Sequence, residues 1–226
     1  MSRRLQREAA LVADRLERGD RYWPAQLCVA LAITLNLALP ERITIGPTLL
    51  VPAVAGALLV ALVVIAPARA ASHTRGIRHF ALSVIGLVSL ANVISLVLLV
   101  RFLVEGGATA GDRLIGSGLV LWVTNVLLFA VWYWEMDRGG PVVRFLHPDV
   151  LPDFQFTQMD NPKYAPPGWR PGFLDYLYLS LTNATAFSPT DTMPLTLSAK
   201  AVMAAQSVTA LLTIGLVVAR AVNILG

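Results

Sequence analysis

The chain has 226 residues, 56% of them hydrophobic and only 14% charged, where a soluble domain carries roughly 25% charged residues. The charges gather outside four or five runs that almost lack them, which excludes a soluble globular domain. The net charge of +4 lies in connecting segments that membrane topology explains, which argues against a nucleic-acid partner. Cys28 is the only cysteine, so an intrachain disulfide or a cysteine metal cluster is excluded; the sixteen Arg against two Lys suggest a GC-rich bacterial genome. The expected fold is an all-α integral membrane protein with about five transmembrane helices. One short re-entrant helix is expected between the last two.

Residues 1–22 read as an amphipathic segment. Leu5, Ala9, Val12 and Leu16 make one apolar stripe, and the charges of this stretch are unlike the n-region of a cleavable signal. A three-helix membrane region is expected over 23–104. Its first span runs from about Trp23 to Leu39, near the lower length limit for a crossing. The second covers about Pro47 to Ala66, with Pro47 in its first turn. The third covers about His79 to Leu103, where Gly86, Ser89 and Asn92 recur every three residues as a stripe suited to interhelical hydrogen bonding.

The remaining region, 105–226, reads as an outer helix, a Pro-rich linker, a pore loop and an inner helix. The outer helix spans about Leu114 to Trp134. Trp132, Tyr133 and Trp134 suggest an interfacial aromatic belt, and Glu135, Asp137 and Arg138 mark where the chain leaves hydrocarbon. Residues 139–172 hold seven prolines and cannot form a long helix. Their aromatics (Phe145, Phe154, Phe156, Tyr164 and Trp169) predict that the linker packs on something. A helix of 12 to 14 residues is expected from Phe173, too short to cross, with Asp175 at its dipole-positive start. It ends in Thr182-Asn-Ala-Thr185-Ala-Phe-Ser-Pro189, and Pro189 forbids its continuation. Backbone freed at membrane depth must be buried in protein or line water, so a hydroxyl-lined turn is expected there. The last span runs from about Leu197 to Leu225.

Phe173 to Thr196 resembles the pore loop of the tetrameric cation-channel superfamily, in its two-transmembrane potassium-channel form. Tyr178-x-Ser180, Thr185 and Asp191-Thr-Met-Pro194-Leu-Thr196 match the family pattern in order, the last without a gap. The departure is in the filter, Ala186-Phe187-Ser188-Pro189-Thr190-Asp191, where both glycines of the family are absent. Carbonyl coordination of potassium needs backbone angles that glycine reaches and that Pro189 forbids. The resemblance therefore implies a degenerate filter. Hydroxyls of Thr182, Thr185, Ser188 and Thr190 with Asp191 carboxylates would favour monovalent cations by charge. The stretch Leu181 to Asp191, Leu-x-Asn-Ala-Thr-Ala-Phe-Ser-Pro-Thr-Asp, also resembles an uncharacterised group of bacterial multi-pass membrane proteins.

In the last span Gln206, Thr209 and Thr213 share one helical face with Arg220 and Asn223, a candidate pore-lining stripe, with Gly215 as a candidate hinge. Interhelical hydrogen bonding is the other reading of that face. Neither paired carboxylates within the spans nor HExxH or GxSxG motifs occur, so no catalytic residue, metal site or cofactor is expected, and the chain is not read as an enzyme. One pore loop cannot enclose a pore, so a homo-oligomer is expected, a tetramer by the resemblance. With five spans the positive-inside rule places the N-terminus in the cytoplasm of a bacterial cell, in the inner membrane, and puts the pore loop on the cytoplasmic side, opposite to potassium channels; either the orientation is inverted, the span count is off by one, or the loop is not a conducting filter. Two functions are carried forward: an oligomeric, weakly cation-selective channel-like protein, and a non-conducting scaffold or partner-binding protein that keeps the channel-like fold.

Overall fold

A computed structural model describes residues 23–37, 39, 75–104, 111–185 and 191–225. The expected amphipathic segment (2–21), the second span (47–66) and filter residues Ala186, Phe187, Ser188, Pro189 and Thr190 lie outside the described residues.

The described chain is mostly helical. In order it contains α1 (Trp23–Leu37), α2 (Arg75–Val104), α3 (Gly111–Met136), a 3₁₀ turn (Asp137–Gly139), α4 (Pro141–Leu146), β1 (Phe154–Phe156), α5 (Thr157–Asp160) and a second 3₁₀ turn (Pro162–Tyr164). Then follow α6 (Phe173–Thr185), β2 (Thr192–Pro194) and α7 (Leu197–Leu225). Among the described residues, three stretches are long and apolar enough to cross a membrane: His79–Leu103, Ile115–Gly139 and Leu197–Ala219. Helix α1 is apolar but has 15 residues, about 22 Å against a hydrocarbon core of about 30 Å.

α3 is the hub, packing against α1, α2, α6 and α7. It is suited to that place because its bulky apolar residues are distributed all round. Leu121, Leu128, Ala130, Val131, Tyr133 and Trp134 are all buried. The polar stripe of α2 faces α3, as interhelical bonding requires. Trp132 Nε1 donates to Ser89 Oγ at 3.0 Å, a Cβ on Gly86 would meet the Trp132 ring at 3.7 Å, and Asn92 Nδ2 reaches Leu121 O at 3.5 Å. The expected aromatic belt is thus turned inward: Tyr133 and Trp134 are buried and Trp132 is spent on α2. Composition marks these rings as interfacial, but packing against three neighbouring elements outweighs contact with headgroups.

α3 stops in a reversal. Arg138, Gly139 and Gly140 take φ of 53°, 80° and 101°, a left-handed run that glycine accommodates at two of its three positions. Pro141 then opens α4 with its preset φ. The linker is ordered by its aromatics. β1 pairs antiparallel with β2, with Phe154 opposite Pro194, Gln155 opposite Met193 and Phe156 opposite Thr192. The alternation of a strand turns Phe154 and Phe156 inward. Phe154 lies edge-on to Tyr133 of α3 at 5.1 Å between centroids, and Phe156 edge-on to Tyr176 of α6 at 5.3 Å. A linker with seven prolines therefore becomes a plug of rings over one end of the bundle.

Candidate functional site

The site is built from α3, α6 and α7. Along α6, four contacts fix its course. The Phe173 ring lies 5.9 Å from that of Trp134, Tyr176 OH donates to Asp137 Oδ2 at 2.6 Å, and Ser180 Oγ donates to Val126 O at 2.7 Å. Trp122 Nε1 reaches Ala184 O at 3.5 Å. From Tyr176 on, residue numbers rise on α6 as they fall along its partners (Asp137, Val126, Trp122), so α6 runs antiparallel to α3 between Trp134 and Trp122. That descent is about 18 Å at 1.5 Å per residue. Asp191 is nevertheless back beside the linker, where its carbonyl accepts from Thr157 Oγ1 at 2.9 Å and its Oδ2 lies 3.5 Å from Tyr178 OH.

At the start of α6 and α7 a buried clasp joins four segments. Asp137 is fully buried and takes Tyr176 OH on one oxygen and the Asp153 backbone N–H on the other, at 2.8 Å. Arg144, also buried, lies 3.9 Å from the Asp137 carboxylate, donates to Trp134 O and Asp137 O at 3.1 Å, and stacks over the Tyr176 ring at 5.1 Å. Asp153 accepts from Arg138 N at 2.9 Å and from Thr196 Oγ1 at 2.6 Å. Thr196 in turn caps α7, taking Ala199 N on its hydroxyl at 3.2 Å. Each carboxylate thus spends both oxygens on fixed donors, the condition under which burying a charge is tolerable.

Deeper along α6 lies a second network. Gln206 of α7 is fully buried. Its Nε2 donates to Ser180 O at 2.9 Å and Ser180 Oγ at 2.7 Å, and its Oε1 accepts from Tyr133 OH and from Asn183 Nδ2 at 2.8 Å. Asn183 Nδ2 also reaches Met203 O at 3.0 Å and Tyr133 OH at 3.1 Å, and its Oδ1 accepts from Ser207 Oγ at 3.1 Å. Asn125 Nδ2 donates to Gln206 O at 3.4 Å. Three helices are cross-linked by side chains, of which Gln206, Asn183 and Ser180 leave little of their bonding capacity unused.

The expected site residues are therefore divided among different surroundings. Gln206 is inside this lock. Thr213 is buried and bonds back to Thr209 O at 2.7 Å, and the half-buried Thr209 bonds back to Ala205 O at 2.8 Å. α7 runs unbroken through Gly215, which is exposed, with nothing within 4 Å of a Cβ placed there. Thr182 and Thr185 lie at the end of α6, Thr185 exposed, each hydroxyl bonded to carbonyls of its own helix. Asp191 is exposed. Sequence reasoning missed Ser180, Asn183 and Tyr133 as a group, and Asp137, Arg144 and Asp153 as another. The available signal for the first was Ser180 and Asn183 at i,i+3, polar residues one turn apart on a short apolar helix. No family model matches this chain, and neither a curated protein nor a solved structure matches it.

Proposed function

We propose that this chain is the subunit of an oligomeric, channel-like protein of the bacterial inner membrane, weakly selective for cations. In this reading α3 is the outer helix, α6 a re-entrant pore helix and α7 the inner helix, with the three-helix region expected over 23–104, α2 among it, supplying the other crossings. The observation that carries it is the course of α6. A helix of 13 residues follows α3 for about two thirds of a crossing, while Asp191 lies back beside the linker. A helix that ends at membrane depth leaves carbonyls that lipid cannot satisfy. Other copies of the chain and water between them satisfy those groups, with Thr185 and Asp191 on the exposed side. The hydroxyls and carboxylates brought together around the shared axis favour cations by charge, without the glycine filter that potassium selectivity needs.

One observation favours the second reading, a non-conducting scaffold. Gln206, the first residue of the α7 stripe, is spent inside one chain, while the exposed face of α7 presents Val208, Leu211, Leu212, Val218 and Val222. Purified protein reconstituted into liposomes separates the two. Cation flux exceeding chloride flux is expected. Asp191→Asn lowers it several-fold at 0.01 M salt, where the screening length is about 30 Å, and has little effect at 1 M, where it is about 3 Å. Silent liposomes together with a monomer in gentle detergent overturn the proposal in favour of the scaffold.

A further inference from the structure

Between α2 and α3 lie buried polar atoms that the networks above do not use. Asn92, Thr124 and Asn125 are each less than a tenth exposed. Asn92 Oδ1, Thr124 Oγ1 and Asn125 Oδ1 have no hydrogen-bond partner among the described residues. The two amides cannot be relieved by turning them over. Asn92 Nδ2 faces the carbonyl of Leu121 and Asn125 Nδ2 faces the carbonyl of Gln206, so each flip would set oxygen against oxygen. Two carbonyl acceptors and a hydroxyl are left over. Their positions on the two helices also lie close together. Asn92 reaches α3 at Leu121, and Thr124 and Asn125 stand three and four residues on from Leu121, one turn along the same face. All three belong to segments of candidate spans, where bulk water is out of reach and an unmade hydrogen bond is costly.

We propose that Asn92, Thr124 and Asn125 hold an internal water molecule at the α2–α3 seam. The valences match: the water donates to both amide oxygens and accepts from the Thr124 hydroxyl, three bonds, the usual number for a buried water. A cation would suit the two carbonyls but leave the hydroxyl proton with no acceptor. Through Asn125 the water joins α2 to the Gln206 lock, so that the stripe on α2 and the polar network of α7 become one connected system.

The sign of one substitution tests this. Thr124→Val is isosteric. If the hydroxyl is bonded to water, Val lowers the Tm of the purified protein in detergent by about 2–4 °C. If the hydroxyl is buried dry, Val removes an unpaired polar group and Tm stays or rises, which overturns the proposal. Radiolytic hydroxyl-radical labelling gives an independent readout that needs no variant. Leu121, only 1% exposed, is expected to be labelled because a bound water generates the radical beside it. A double-mutant cycle of Thr124→Val with Asn92→Leu is expected to be non-additive, because both residues share the one molecule. Additive effects with unlabelled Leu121 sink the idea, and if Asn92→Leu does not fold, the Thr124→Val sign and the labelling decide it.

Discussion

Replacing Gln206 by Met keeps the length of the side chain and deletes its hydrogen bonding. Four side-chain bonds are lost: two to Ser180, one from Tyr133 and one from Asn183. The groups left behind do not suffer equally. Ser180 Oγ still donates to Val126 O and Asn183 Nδ2 still reaches Met203 O, whereas the Tyr133 hydroxyl proton loses its acceptor in a fully buried site. Side-chain bonds between membrane helices average about 0.6 kcal/mol each, and a stranded buried donor adds about 1–3 kcal/mol, so the expected loss is about 3–5 kcal/mol. Reversible unfolding of the purified protein in mixed detergent–SDS micelles, followed by tryptophan fluorescence, measures it. Thr209→Val is the control. Its hydroxyl bonds only back to Ala205 O of its own helix, and its removal is expected to cost no more than about 0.5 kcal/mol. If Gln206→Met costs no more than the control, the lock does not hold the helices together and the reasoning is refuted.

Two further expectations follow from close approach and from the clasp. A Cβ at Gly118 would stand 2.3 Å from Val217 Cγ2 of α7, whereas one at Gly116 would meet nothing within 4 Å. Gly118→Ala is therefore expected to lower stability by about 1–3 kcal/mol through overpacking, and Gly116→Ala to raise it by up to about 1 kcal/mol through helix propensity, both read as Tm shifts. Tyr176→Phe removes the donor to buried Asp137 and is expected to cost about 1.5–3 kcal/mol, while Tyr178→Phe, on the exposed face, changes chemical unfolding by less than about 0.5 kcal/mol.

The spans were legible wherever a charge-free run was bounded by charges. α2 and α7 begin and end within a few residues of the expected positions, because hydrocarbon thickness and helix rise leave little freedom. The prolines announced that 139–172 is no long helix, and its rings that it packs. The partners were not legible. Asp137, Arg144 and Asp153 look in sequence like the hydrophilic end of a span, yet they are drawn inward by partners far along the chain, Tyr176 at a separation of 39 residues and Thr196 at 43. Periodicity placed Gln206, Thr209 and Thr213 on a common face but could not say what that face meets. A stripe turned toward water and a stripe turned toward a neighbouring helix have the same spacing. The Gln206 environment depends on Ser180 and Asn183 arriving from a different element, which no local pattern encodes.

The Gln206 lock also dictates an order of events during synthesis. Ser180 precedes Gln206 by 26 residues, so at roughly 5–20 residues per second α6 exists for about 1–5 s before its principal partner is made. In that interval Ser180 can already use Val126 of α3, but Asn183 has neither Met203 nor Gln206 to bond. A nascent α6 is thus half-furnished, attached along one side only, and its docking is completed by α7 emerging behind it. Ribosome stalling upstream of Gln206 should leave the short helix open to proteases and insertion factors, whereas stalling some way downstream should not.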